Sequence, residues 1–152
     1  MEKQKYQAYA AATQTVAKTR QIVMLYDGAI RFMQQAKEAI SEKRIQDRYN
    51  TLVKVNDIVM GMQGCLDFEK GGDIAKILYG YYASIIDRVF TIHRTDSLET
   101  CDEIIADLKR MRDVWNEIDQ SGITPEGATP PPAPAPQAGD NPEAPQNFTL
   151  SA

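Results

Sequence analysis

The 152-residue chain is 43% hydrophobic and 25% charged, the balance of one ordinary globular domain with enough apolar material for a core. Its formal charge of -4 leaves no basic excess of the kind a nucleic-acid partner requires. No apolar run is long enough for a signal sequence or a membrane span, so the expectation is a cytoplasmic protein without membrane insertion.

In chain order, residues about 4 to 16 read as a short, marginal helix whose apolar contacts are Tyr6, Tyr9 and Val16. The first long helix shows Ile22, Tyr26, Ala29, Met33, Ala36 and Ile40 at alternating spacings of three and four, which is one buried face, with Thr19 as its expected N-cap. After a short connection at 41–43, a second helix carries Ile45, Tyr49, Leu52, Val59 and Leu66 on its core face. The run Lys70-Gly71-Gly72-Asp73 predicts a stop, with Asp73 capping a third helix that carries Ile74, Leu78, Tyr81, Ile85, Val89 and Ile92. Asp96 and Glu99 have capping-box spacing ahead of a fourth helix with Leu98, Ile105, Leu108, Trp115 and Ile118. Four amphipathic helices joined by short turns predict an all-α, antiparallel four-helix bundle over residues 1–120. All eight prolines lie from Pro125 onward, and the segment 121–152 has no Lys or Arg and few large apolar groups. It is expected to be a disordered tail outside the bundle.

The second and third helices are more apolar than one core face needs. Val55, Ile58, Met62 and Cys65 lie beside the main stripe of the second helix, and Ala75, Tyr79, Tyr82, Ile86 and Phe90 beside that of the third. At 100° per residue each apolar arc covers roughly 200°, against about 100° for a simple surface helix. Neighbouring segments of the same chain can cover that excess, and so can the apolar face of a partner helix; periodicity alone leaves both open. Four helix-interior glycines, Gly28, Gly61, Gly64 and Gly80, cost about 4 kcal/mol in propensity together against alanine, which suggests close approach of a neighbouring helix.

Chemistry-bearing motifs are sparse. Cys65 and Cys101 stand alone inside apolar patterns and read as small buried hydrophobes. His93 is the one histidine, which excludes a multi-histidine metal site; as a phosphotransfer nucleophile it would need open space and a nearby lysine, whereas its place at a helix end suits a surface histidine near the negative pole of the helix. No nucleotide-binding glycine motif occurs. No enzyme, cofactor or metal is expected.

Three stretches do carry a resemblance: Leu25-Tyr26-Asp27-Gly28-Ala29-Ile30, the run from Asn56 to Tyr82 that includes Leu66-Asp67 and Gly71-Gly72-Asp73-Ile74-Ala75, and the late Trp115. In order and spacing they resemble the flagellin export chaperones, the FliS family, over roughly residues 6 to 119; the tail lies outside the resemblance. The resemblance implies a chaperone that binds the disordered C-terminal segment of flagellin, prevents premature polymerisation and delivers it to the flagellar export gate. On that reading the client contacts are Leu25, Tyr26, Gly28, Ile30, Val55, Ile58, Met62, Tyr79, Tyr82 and Ile86. Tyr6 and Tyr9 then form a movable lid, and the free protein is a monomer or weak homodimer. The competing readings are a self-associating structural bundle and a phosphotransfer domain using His93.

Overall fold

The computed structural model describes Lys3 and residues 18–121. Within them lie four helices: α1 (Lys18–Ser41), α2 (Ile45–Gly64), α3 (Phe68–Thr95) and α4 (Leu98–Ser121). The expected all-α four-helix bundle is the observed architecture. Cross-helix contacts fix the antiparallel order. Thr19 donates to Asp119 at 2.7 Å while Lys37 pairs with Asp102 at 2.6 Å, so α1 and α4 run oppositely. Lys54 of α2 stands over the Phe32 ring of α1, and the Gln63 amide of α2 donates to the Tyr79 carbonyl of α3 at 3.1 Å. The ring closes where the Tyr81 hydroxyl donates to the Asp107 carbonyl at 3.1 Å and Arg88 pairs with the Asp107 carboxylate at 2.7 Å. Of the four neighbouring pairs, α3 and α4 pack least closely.

The helix ends differ in detail from the expected caps. Thr19 lies inside α1 and its hydroxyl bonds across to Asp119, so it caps nothing. Asp67 caps α3, accepting the Glu69 and Lys70 amides at 3.0 Å each; the helix therefore starts five residues before the expected stop ends. The expected break survives as a kink at Gly72 (φ 50°, ψ -126°), a backbone conformation that only glycine adopts readily. Asp96 is the left-handed C-cap of α3 (φ 52°), and Ser97, accepting the Thr100 amide at 3.1 Å, caps α4. The capping-box spacing of Asp96 and Glu99 misled because a two-residue connection leaves Asp96 to end one helix rather than begin the next.

The core is continuous across all four helices. Ile22, Tyr26, Ala29, Met33 and Ala36 of α1 face Leu52, Val55 and Val59 of α2, Ile85, Val89 and Ile92 of α3, and Cys101, Ile104 and Leu108 of α4. Complete burial of each aliphatic side chain contributes roughly 1.5–3 kcal/mol. Four residues expected in the core are exposed instead: Ile45, Tyr49, Ile74 and Leu98. Ile45 and Leu98 are the first residues of their helices and Ile74 follows the kink, so they lie beyond the layers that opposing helices cover. Tyr49 stands on the flank of α2 that faces α3.

One polar cluster lies inside the core. The Tyr26 hydroxyl donates to that of Tyr82 at 2.9 Å, the Tyr81 ring meets Tyr82 edge-on, and the Trp115 indole N–H is buried without a hydrogen bond of ordinary geometry. Burial drives the Tyr26 phenol far above its ordinary range, with Tyr82 adding to the shift, and burial likewise raises Tyr82. Both stay neutral throughout the physiological range. Burial also pushes the Cys101 thiol up to about 11, so it packs as a small apolar group rather than a reactive thiolate.

Candidate functional site: the apolar seam between α2 and α3

Helix geometry explains how the broad apolar arcs of α2 and α3 are used. A helix flanked by two neighbours and the bundle interior buries well over 100° of its circumference, so much of each arc is consumed internally. Of the ten residues expected to touch a client, Tyr26, Ile30, Val55, Met62, Tyr82 and Ile86 are buried in the core. Leu25, Gly28 and Ile58 are half-buried. Tyr79 alone of the ten is exposed, on the seam where α3 meets α2. Tyr6 and Tyr9, read as a lid, lie outside the described residues.

The surface that remains apolar follows that seam. Tyr49 and Met60 project from the α3-facing flank of α2, and Tyr79 and Phe90 from the α2-facing flank of α3. Ile45 stands at one end and Phe68 at the other. All six are between 44% and 70% exposed. Rings cluster at both ends: Phe68 lies 5.9 Å from Tyr79, while His93 lies 5.6 Å from Tyr49 and 6.3 Å from Phe90. From Tyr79 to Phe90 the strip runs roughly 16 Å along the helix axis, about the length of a three-turn helix. Five of the six residues were missed because Ile45 and Tyr49 were assigned to the core, Phe90 was placed in the arc without being chosen as a contact, and Met60 and Phe68 fit neither stripe. Their signal was present in the sequence as large apolar residues just outside the core periodicity.

Polar groups frame the seam. Arg48 pairs with Asp96 at the His93 end, and burial together with the Arg48 charge lowers the His93 imidazole below its ordinary value. His93 lies beside the Tyr49 and Phe90 rings and is partly buried. The glycines also differ from expectation. A methyl group at Gly28 would stand 3.6 Å from Ile58 Cδ1, an ordinary contact, and at Gly64 or Gly80 it would meet nothing within 4 Å. Close helix approach therefore does not account for these three glycines. Gly64 and Gly80 are exposed bare backbone. Among the described residues no group of acidic, histidine or cysteine side chains is arranged to hold a metal, and no helix is long and apolar enough to cross a membrane.

Comparison with known proteins places this bundle. The family model described as flagellar protein FliS matches residues 2–122. The flagellar secretion chaperone FliS of Campylobacter jejuni is 28% identical over 114 residues, covering 74% of this chain and 89% of that protein. The flagellar secretion chaperone FliS of Vibrio cholerae is 29% identical over 97 residues, 64% of this chain and 71% of its own length. The protein of the same name from Salmonella typhimurium is 29% identical over 98 residues, 64% and 73% of the two chains. A four-helix bundle carrying the Leu25–Ile30 box, the Asp67–Ala75 turn and a buried Trp115, and matched by the family model from its second residue to the end of α4, belongs to the FliS family, a family of chaperones and not of enzymes.

Proposed function

We propose that the protein is a cytoplasmic export chaperone that binds the disordered C-terminal segment of flagellin, keeps it from polymerising early and delivers it to the flagellar export gate. The observation that carries this reading is the apolar seam of Tyr49, Met60, Tyr79 and Phe90, which gives the apolar face of an amphipathic helix a strip to lie on. A client that folds on binding buries on the order of 1,000–3,000 Å², and about 2–5 kcal/mol or more of the gross interaction goes into ordering it. Such a complex is specific yet reversible, as handover requires, and all of its free energy is interfacial. The buried members of the expected contact set on α2 and α3, Val55, Met62, Tyr82 and Ile86, then act from beneath by fixing where the seam residues stand.

The test compares Tyr79→Asp and Phe90→Asp with wild type, by calorimetric titration with a flagellin C-terminal peptide and by circular dichroism. Both side chains are about half exposed, so helicity and melting temperature should hold while affinity falls at least tenfold, about 1.4 kcal/mol. Unchanged affinity in both variants would place the client elsewhere. A self-associating structural bundle is distinguished by size-exclusion chromatography: it elutes as a dimer without client, whereas the chaperone forms a complex near one to one.

A further inference from the structure

The middle of the α2–α3 seam holds a polar side chain that the bundle leaves without a partner. Tyr49, Asn56 and Gln63 come seven apart, two turns each, and so share one face of α2. The outer two reach α3: the Tyr49 ring lies 5.6 Å from His93, and the Gln63 amide donates to the Tyr79 carbonyl at 3.1 Å. Tyr79, Ile86 and His93 are spaced by seven in turn, in the opposite direction, which sets Asn56 level with Ile86 halfway between the two contacts. Besides the aromatic cluster, three polar side chains are buried among the described residues, Thr19, Thr51 and Asn56. Thr19 donates to Asp119, and Thr51 to the Asp47 and Arg48 carbonyls of its own helix. Asn56 is 6% exposed, and its carbonyl Oδ1 is buried with no hydrogen-bond partner. A buried acceptor without a donor is costly, and an apolar side chain of the same shape would serve the free bundle better.

We propose that Asn56 fixes the register of the client on the seam: its carboxamide takes a hydrogen bond from a neutral side chain, Ser, Thr, Asn or Gln, set in the apolar face of the client helix. This role rests on the seam being the client's strip, as proposed above. The donor comes from a side chain because the backbone N–H groups of a helix are spent on its own carbonyls. It is neutral because a cation taken into this strip would have no carboxylate to pair with: the acids next in the chain, Asp57 and Asp87, lie about 100° round from Asn56 and Ile86 and are exposed. Met60, one turn on from Asn56 and 44% exposed, is unbranched and yields readily. The Cβ–Cγ torsion of an asparagine is soft, so the carboxamide can turn outward to meet a donor. On Tyr49, Met60, Tyr79 and Phe90 alone a client helix can slide by a turn at little cost. One buried polar position removes that freedom, because every other register strands Oδ1 beneath an apolar surface.

The experiment titrates the full chain calorimetrically with the flagellin C-terminal peptide and with peptides in which each Ser, Thr, Asn and Gln of that segment is changed singly to Ala. Against wild type one such change should lower affinity about tenfold, and against Asn56→Leu the same change should matter less than about twofold. Circular dichroism checks that the variants fold, and Asn56→Ala, which removes atoms without adding any, gives the same readout where leucine overpacks. A panel with no sensitive position overturns the proposal, and so does a position that stays equally sensitive in both Asn56 variants. The Tyr79→Asp and Phe90→Asp titrations keep the two readings separate. If those variants bind as wild type does, the seam itself is wrong and Asn56 loses its role with it. If they bind weakly while the Asn56 variants keep full discrimination, the seam stands and Asn56 plays no part in it.

Discussion

Gly28→Ala separates a glycine kept for packing from one kept for a partner. Gly28 lies within α1 with helical backbone, so alanine meets no conformational barrier, and the added methyl stands 3.6 Å from Ile58 Cδ1, a van der Waals distance that asks nothing to move. Alanine gains about 1 kcal/mol in helix propensity, partly by restricting the unfolded chain. The new contact with Ile58 adds only about 0.1–0.2 kcal/mol per atom pair. For a bundle of about 100 residues, 1 kcal/mol corresponds to a rise of roughly 4–8 °C in melting temperature. Thermal and urea unfolding followed by circular dichroism measure it, with calorimetric titration of a flagellin peptide alongside. Stabilisation with weakened client binding would show that the glycine serves the client. A lower melting temperature would refute the reasoning, because it would mean that α1 and α2 have no room for the methyl.

Tyr82→Phe should destabilise the bundle by about 1–3 kcal/mol, because it strands the buried Tyr26 hydroxyl; Tyr26→Phe/Tyr82→Phe should recover part of that loss, and a double-mutant cycle by urea unfolding reads the coupling. His93 makes stability depend on pH. Its folded value is lowered by burial and by Arg48, so below about 6.5 the unfolded chain takes up the proton first, and stability should fall as pH drops from 6.5 through the folded value and then level off. Urea midpoints for wild type and His93→Gln between pH 7.5 and 5 should differ in slope only within that window; parallel profiles would remove His93 from the account. Deleting residues 1–16, the expected lid, should raise affinity for the flagellin peptide while lowering the melting temperature, since an occluding segment both stabilises the free chaperone and competes with its client. Weaker binding after truncation would make those residues part of the client contact.

Local chemistry alone determined the helical architecture. The three-and-four spacing of Ile22, Tyr26, Ala29, Met33 and Ala36 is readable without any partner helix, because one face of a helix recurs with the helix's own period. The break at Gly71-Gly72 was likewise legible as a string, since a positive-φ backbone such as that of Gly72 leaves a residue-type signature, while the Leu25–Ile30 box was legible only through its resemblance to a known family. What only the tertiary structure decided is which side of each apolar arc meets solvent. Val55 and Met62 are buried while Tyr49, on the same helix, is exposed, although all three belong to one broad apolar arc. A helix's periodicity gives the width of its apolar arc but not the angle at which its neighbours approach. That angle is set by the packing of α1 and α3 on either side of α2, through contacts between residues far apart in the chain.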